Sequence, residues 1–127
     1  MTRKIIKTDS APKAIGPYSQ AVEAGGLVFV SGQIPIDPKT GNVVQADIKA
    51  QAKLVMDNAA AILAAAGCGM PNVVKSTIYL KNMADFAAVN EVYGSYFTSD
   101  PPARATVEVS RLPKDVAIEM DFTAWKG

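Results

Sequence analysis

The sequence predicts an α+β fold, a mixed sheet with two helices packed on one face, in the order β-β-β-α-β-α-β-β. Three observations carry this. In the last quarter Val116, Ile118, Met120 and Phe122 alternate onto one face of a strand, which leaves Glu119 on the other. Further back, Ile48, Val55, Ala59, Ile62 and Ala66 recur at helical spacing, with Ala52, Leu54 and Leu63 widening the stripe. Strand-like and helix-like segments then interleave over 127 residues, the length of one domain, so a single domain over 1–127 is expected.

Taken in order, Lys4–Lys7 reads as a short edge strand and 11–17 as a loop punctuated by Pro12, Gly16 and Pro17. Tyr18–Glu23 reads as a strand that turns at Gly25-Gly26 into Leu27–Gly32. That strand is continuous in apolar residues, which suggests burial on both faces. Asp37-Pro38-Lys39-Thr40-Gly41 is a turn. The first helix runs from about Asp47, a suitable N-cap, to Ala66, with Gly67 at the left-handed position beyond it. Its alanine-rich stretch Ala59-Ala60-Ala61 lets it lie close against a sheet. Val73–Leu80 is the next strand. A second helix follows from about Ala84 to Phe97, with Phe86, Val89 and Tyr93 inward and Gly94 weakening it. Pro101 to Phe122 reads as two strands joined by a turn.

Two helices cover one sheet face. Phe29, Val107, Ala117 and Trp125 cannot all lie beneath them, so the opposite face calls for a partner, most simply further copies of the chain.

Composition excludes several classes of function. Thirteen basic and twelve acidic residues leave a net charge of +1, scattered rather than clustered, which disfavours nucleic-acid and membrane-surface binding. No secretory pattern and no apolar stretch approaching ~18 residues is present, so a soluble, cytoplasmic protein is expected. Cys68 is the one cysteine, which excludes an intrachain disulfide and suits a reducing compartment. There is no histidine, which removes Ser-His-Asp and Cys-His nucleophile systems and every His-containing zinc site. Catalysis would have to use carboxylates, Arg, Lys, Tyr, Ser, backbone groups and water.

In the terminal pair of strands Arg104 stands at a strand entrance, in one row with Thr106 and Glu108, and Glu119 lies on the non-core face of what reads as the neighbouring strand. An Arg fork grips a small carboxylate in two parallel hydrogen bonds, and a nearby Glu can orient or deprotonate water. The same spacing also suits a plain Arg–Glu pair on a solvated face, and spacing alone leaves both readings open. Glu108 suits a structural partner, Arg111 and Lys114 read as turn charges, and the methionines as core filler.

Four motifs in sequence, Gly16-Pro17-Tyr18-Ser19-Gln20-Ala21, Val30-Ser31-Gly32-Gln33-Ile34-Pro35, Pro102-Ala103-Arg104 and Arg111-Leu112-Pro113-Lys114-Asp115, resemble the signature of the RidA (YjgF) family of reactive enamine/imine deaminases. The resemblance covers essentially the whole chain. It implies a chorismate-mutase-like homotrimer with a cleft between each pair of subunits. It also implies hydrolysis of 2-aminoacrylate and 2-iminobutyrate to 2-keto acids and ammonia, with no cofactor and no metal. By motif position it implies that Arg104 binds the substrate carboxylate and Glu119 holds the attacking water. Tyr18, Ser31 and Asn90 would line or support the cleft, Gly32 and Thr106 would offer backbone groups, and Pro113 would lie on a loop closing over the ligand. Some relatives are reported as ribonucleases or translation inhibitors, and a non-catalytic regulator that binds a small carboxylate is a third alternative. Two departures stand out. Thr106 occupies a position where many members carry Cys, which puts any thiol-dependent role in doubt. The segment between the second helix and Arg104 also looks shorter than in many members.

Overall fold

The computed structural model describes residues 2–127. Six strands, β1 (Lys4–Ile6), β2 (Ala21–Ala24), β3 (Leu27–Gln33), β4 (Val73–Leu80), β5 (Ala103–Glu108) and β6 (Ile118–Trp125), form one sheet in the order β1-β2-β3-β6-β4-β5. Two helices, α1 (Ile48–Ala65) and α2 (Phe86–Gly94), pack on one face, so the α+β reading holds. The β2–β3 hairpin turns at Gly25 and Gly26, both in the left-handed region that such tight turns demand.

Local chemistry sets the ends of α1. The Asp47 side chain accepts a hydrogen bond from the Ala50 amide at 2.8 Å. At the other end Gly67 has φ 80°, and the amides of Gly67 and Cys68 donate to Ala64 and Leu63 carbonyls, closing the last turn. The buried stripe Ala52, Val55, Met56, Ala59, Ile62 and Leu63 packs onto Val28, Val30, Ile78, Met120, Phe122 and Ala124 of the sheet. Each fully buried Val, Leu, Ile or Met there contributes about 1.5–3 kcal/mol. The second helix is shorter than its sequence pattern suggested: a 3-10 turn at Met83–Asp85 precedes it, and it ends at Gly94. Tyr18 to Gln20 lie outside β2, in the loop ahead of it.

Three expectations are corrected. β5 and β6 are not a hairpin, because β4 lies between them. β4 and β5 run parallel, which requires a crossover, and α2 provides it. The chain then crosses the end of β4 and returns as β6, antiparallel to both β3 and β4. Second, Arg104 and Glu119 stand on opposite faces of the sheet. Arg104 is level with Ser76 on the helix side, whereas Glu119 pairs with Tyr79 on the open side. A simple cross-strand Arg–Glu pair is therefore ruled out. Third, β3 is buried on one face only: Val28 and Val30 are inward, while Phe29 is 47% exposed.

The open face carries Phe29, Val107 and Trp125, all exposed. β5 is an outer strand of the sheet, with one edge unpaired within the chain. No helix among the described residues is long and apolar enough to cross a membrane.

Candidate active site

The site residues fall into two groups. The first surrounds Glu119 on the open face of β6. Opposite it, β3 carries a bulge: Val30 pairs with Phe122 and Gln33 with Met120, so Ser31 and Gly32 together oppose Asp121. Bulges re-aim backbone at functional positions, and here the carboxylate of Glu119 fills the space above Gly32. A Cβ on Gly32 would lie 2.9 Å from the Glu119 carboxyl carbon and closer still to an oxygen. Glycine at this position therefore seats the carboxylate.

Ser31 hangs the preceding loop on β3. Its hydroxyl donates to the Ser19 carbonyl and its amide to the Gln20 carbonyl. In that loop the Ile15 amide donates to Tyr18 Oη at 3.3 Å. Buried Gln20 holds the loop from inside: its Oε1 accepts from the Thr8 amide at 2.7 Å, and its Nε2 donates to the Thr8 and Pro12 carbonyls at 3.0 and 2.8 Å. The result is a cleft of about 400 Å³ lined by Tyr18, Ser31, Gly32, Pro113 and Glu119, with Lys13, Ile15 and Lys114 around it. Five of the eight expected residues meet there. Gln20 and Lys13 are cleft residues that the sequence pattern does not single out. A buried amide and a loop lysine leave no periodic signal.

Burial pushes the Glu119 carboxyl above the ordinary carboxylate value, and the charge of Asp121, two residues along the same face, adds to this. Asp121 itself accepts from Tyr79 Oη at 2.9 Å. That bond, with burial and the Asp121 charge, raises the Tyr79 phenol.

The second group surrounds Arg104 on the helix side. Its guanidinium lies 5.0 Å from the Tyr93 ring centroid and 5.4 Å from that of Phe86. Nη1 donates to Asn90 Oδ1 at 2.7 Å. Tyr93 is fixed in turn by a buried hydrogen bond with Ser76, and burial raises its phenol, with that bond and Arg104 opposing. Among the described residues no carboxylate pairs with Arg104. An oriented, unneutralised guanidinium thus stands in a recess of about 420 Å³ with Asn90, Phe97 and Pro102. Thr106, one step along the same row, has a buried hydroxyl oxygen with no hydrogen-bond partner. Glu108 accepts from the Met83 amide at 2.8 Å, which occupies it at the start of the 3-10 turn. Among the described residues no group of three His, Cys, Asp or Glu side chains is placed to hold a metal ion.

Fold and geometry together define an α+β protein with a half-buried carboxylate in a cleft and an arginine that no carboxylate pairs among the described residues, on opposite faces of one sheet. The family described as Endoribonuclease L-PSP matches residues 8–126. A RutC family protein of Pyrococcus abyssi is 57% identical over 126 residues, covering 99% of each chain. The 2-iminobutanoate/2-iminopropanoate deaminase of Salmonella typhimurium is 50% identical over 124 residues, covering 95% of this chain and 96% of the relative. Among solved structures, the YjgF gene product of E. coli superposes with a TM-score of 0.93 at 49% identity, covering 98% of this chain and 99% of the other. E. coli TdcF with bound serine does so with a TM-score of 0.93 at 45% identity, again over 98% and 99%. The chain belongs to the RidA (YjgF) family.

Proposed function

We propose that this protein hydrolyses reactive 2-imino acids, among them the imine tautomer of 2-aminoacrylate and 2-iminobutyrate, to 2-keto acids and ammonia. The observation that carries this is the Glu119 carboxylate, seated over Gly32 inside a small-molecule cleft and made more basic by its surroundings. The similarity to the Salmonella deaminase supports the same reaction.

Arg104 and Glu119 cannot serve one ligand from opposite faces of the same sheet. The working site therefore forms between protomers, with Arg104 of one copy facing the Glu119 cleft of the next. The uncovered apolar face and the unpaired edge of β5 are the surfaces such an assembly would close. We take the assembly to be a homotrimer, as the family resemblance implies.

In this reading the Arg104 fork holds the substrate carboxylate in two parallel bonds. Water adds to the imine carbon while Glu119 takes its proton. Glu119 passes that proton to the nitrogen of the carbinolamine, the C–N bond breaks as the hydroxyl gives its own proton back to Glu119, ammonia leaves and the keto acid remains. The iminium carbon is already electrophilic, so positioning and one base suffice; general-base assistance typically supplies about 10²–10⁴-fold. Tyr18 and Pro113 bound the cleft, Ser31 and Gly32 set its floor, and Asn90 orients Arg104. Thr106 takes part through its backbone, so its side chain is free to differ.

One observation favours a second reading. The relative TdcF binds serine, which is not an imine, and a carboxylate-binding regulator would need Arg104 but no turnover. The deciding experiment couples a threonine dehydratase to this protein and follows 2-ketobutyrate release. A release rate that rises with added protein is expected, and an unchanged rate at micromolar protein overturns the deaminase.

A further inference from the structure

We propose that the Glu119 cleft accepts imino acids carrying a second acidic group, gripped at its far end by Lys13, Lys39 and Lys114. The inference rests on the deaminase reading and names a substrate class for that site. The cleft opens into an adjoining recess of about 240 Å³, and Pro12, Lys13, Ile15, Ile36 and Lys114 line both. The charged groups of the recess are Lys13, Lys39 and Lys114, with no acid among its lining residues. In a chain of net charge +1 this is a local concentration of one sign. Among the described residues none of the three pairs with a carboxylate.

The neighbouring acids are held elsewhere. Asp37 turns its carboxylate onto the Lys39 amide at 2.8 Å, closing its own turn. Asp115, next in sequence to Lys114, is taken up by Arg111, whose Nε and Nη2 donate to Asp115 Oδ1 at 3.2 and 2.8 Å. Lys114 and Asp115 both have positive φ, 56° and 55°, an unfavourable backbone for two consecutive non-glycine residues. The Arg111–Asp115 pair spans this bend, so Asp115 is engaged by Arg111 while Lys114 lines both the cleft and the recess. Lys13 reaches the recess from the loop anchored by Gln20. The cleft itself, at about 400 Å³, lies in the size range of small-ligand pockets. A substrate with its α-carboxylate on Arg104 and its imine carbon beside Glu119 would extend its side chain toward these lysines. A distal carboxylate there meets cations, whereas an aliphatic chain leaves them solvated and gains nothing from them.

The test has a binding arm and a turnover arm, on wild type and a Lys13→Gln/Lys114→Gln double variant, both checked for native circular dichroism. In the first arm, titration calorimetry compares the stable product analogues 2-ketoglutarate and 2-ketobutyrate. Wild type is expected to favour the diacid by about five- to tenfold, the size two exposed ion pairs supply. The double variant is expected to lose that preference. In the second arm an amino acid oxidase generates the imines of glutamate and 2-aminobutyrate, and kcat/KM should show the same reversal of preference. A wild type that binds both keto acids alike, or a preference that survives in the double variant, overturns the proposal. If neither imine is hydrolysed faster than in buffer, the deaminase reading fails, and the calorimetric arm still decides whether the lysines select diacids.

Discussion

The Glu119 carboxylate occupies the space that a side chain on Gly32 would need, with 2.9 Å between its carboxyl carbon and a Cβ placed there. The contact is with the far end of a flexible side chain, and Gly32 does not have positive φ. A Gly32→Ala protein should therefore fold by turning Glu119 away from its seat. Its melting temperature should stay close to wild type while kcat falls by about 10–100-fold, as expected for a base displaced by an ångström or so. Retained turnover in a folded Gly32→Ala protein would mean that Glu119 works from some other position.

Arg104 is held by an aromatic platform and an amide. Arg104→Lys should lose most activity, because a point charge reproduces neither the stacking on Tyr93 and Phe86 nor the two-pronged grip. Tyr93→Phe separates the two jobs of that tyrosine. It keeps the ring under Arg104 and removes the buried bond to Ser76. A stability loss of about 1–3 kcal/mol with KM nearly unchanged is expected. Denaturant unfolding beside steady-state kinetics checks both halves, and a large KM increase would give the hydroxyl a direct part in positioning Arg104.

Much of the scaffold was legible because its signals are local. Asp47 and Gly67 bound α1 where capping chemistry places them. Alternation put Glu119 opposite Ile118 and Met120, and the structure agrees. Alternation tells which face a residue takes but not which strand lies beside it. The strand nearest in sequence therefore reads as the neighbour of β6, although β4 holds that place. With β5 beside β6, Arg104 and Glu119 would be neighbours; with β4 between, they stand on opposite faces of the sheet. The Ser31-Gly32 bulge, the Gln20 anchor and the lysine-lined recess escaped for a related reason. Each depends on contacts between loop or irregular segments distant in sequence, which carry no period.

Thr106 has a buried hydroxyl without a partner, a cost rather than a gain to folding. Replacing it with the isosteric methyl in Thr106→Val should leave activity intact and keep or raise stability by about 1 kcal/mol. Thermal melts and the coupled assay read the two outcomes. A strong loss of turnover in a well-folded variant would show that the hydroxyl meets the ligand directly.

The open sheet face carries Phe29 at 47%, Val107 at 40% and Trp125 at 58% exposure. If copies of the chain bury this face, Phe29→Lys should shift light scattering from trimer toward monomer. Turnover should fall with assembly, because Arg104 would then lack a facing Glu119. A wild-type chain that stays monomeric at micromolar concentration would remove both the interface and the shared site.

The last prediction concerns the charge of Glu119. Its pKa is raised by burial first and by Asp121 second. As a base it must be ionised, so the rate should fall as pH drops through that raised value, and the acid limb should lie above the ordinary glutamate range. Asp121→Asn removes the second cause while keeping an acceptor for Tyr79, and should move the limb to lower pH. Stability runs the other way. The folded protein holds the Glu119 proton to higher pH than the unfolded chain does, so stability falls as pH rises through the folded pKa. Glu119→Gln carries no charge to bury. It should be at least as stable as wild type at pH 7, with the difference closing below the unfolded pKa of about 4.3. Its kcat should drop by roughly 10²–10⁴-fold while 2-ketobutyrate, gripped by Arg104, still binds. Full turnover by Glu119→Gln would reduce Glu119 to a cleft-lining residue and leave carboxylate binding as the better account of the site.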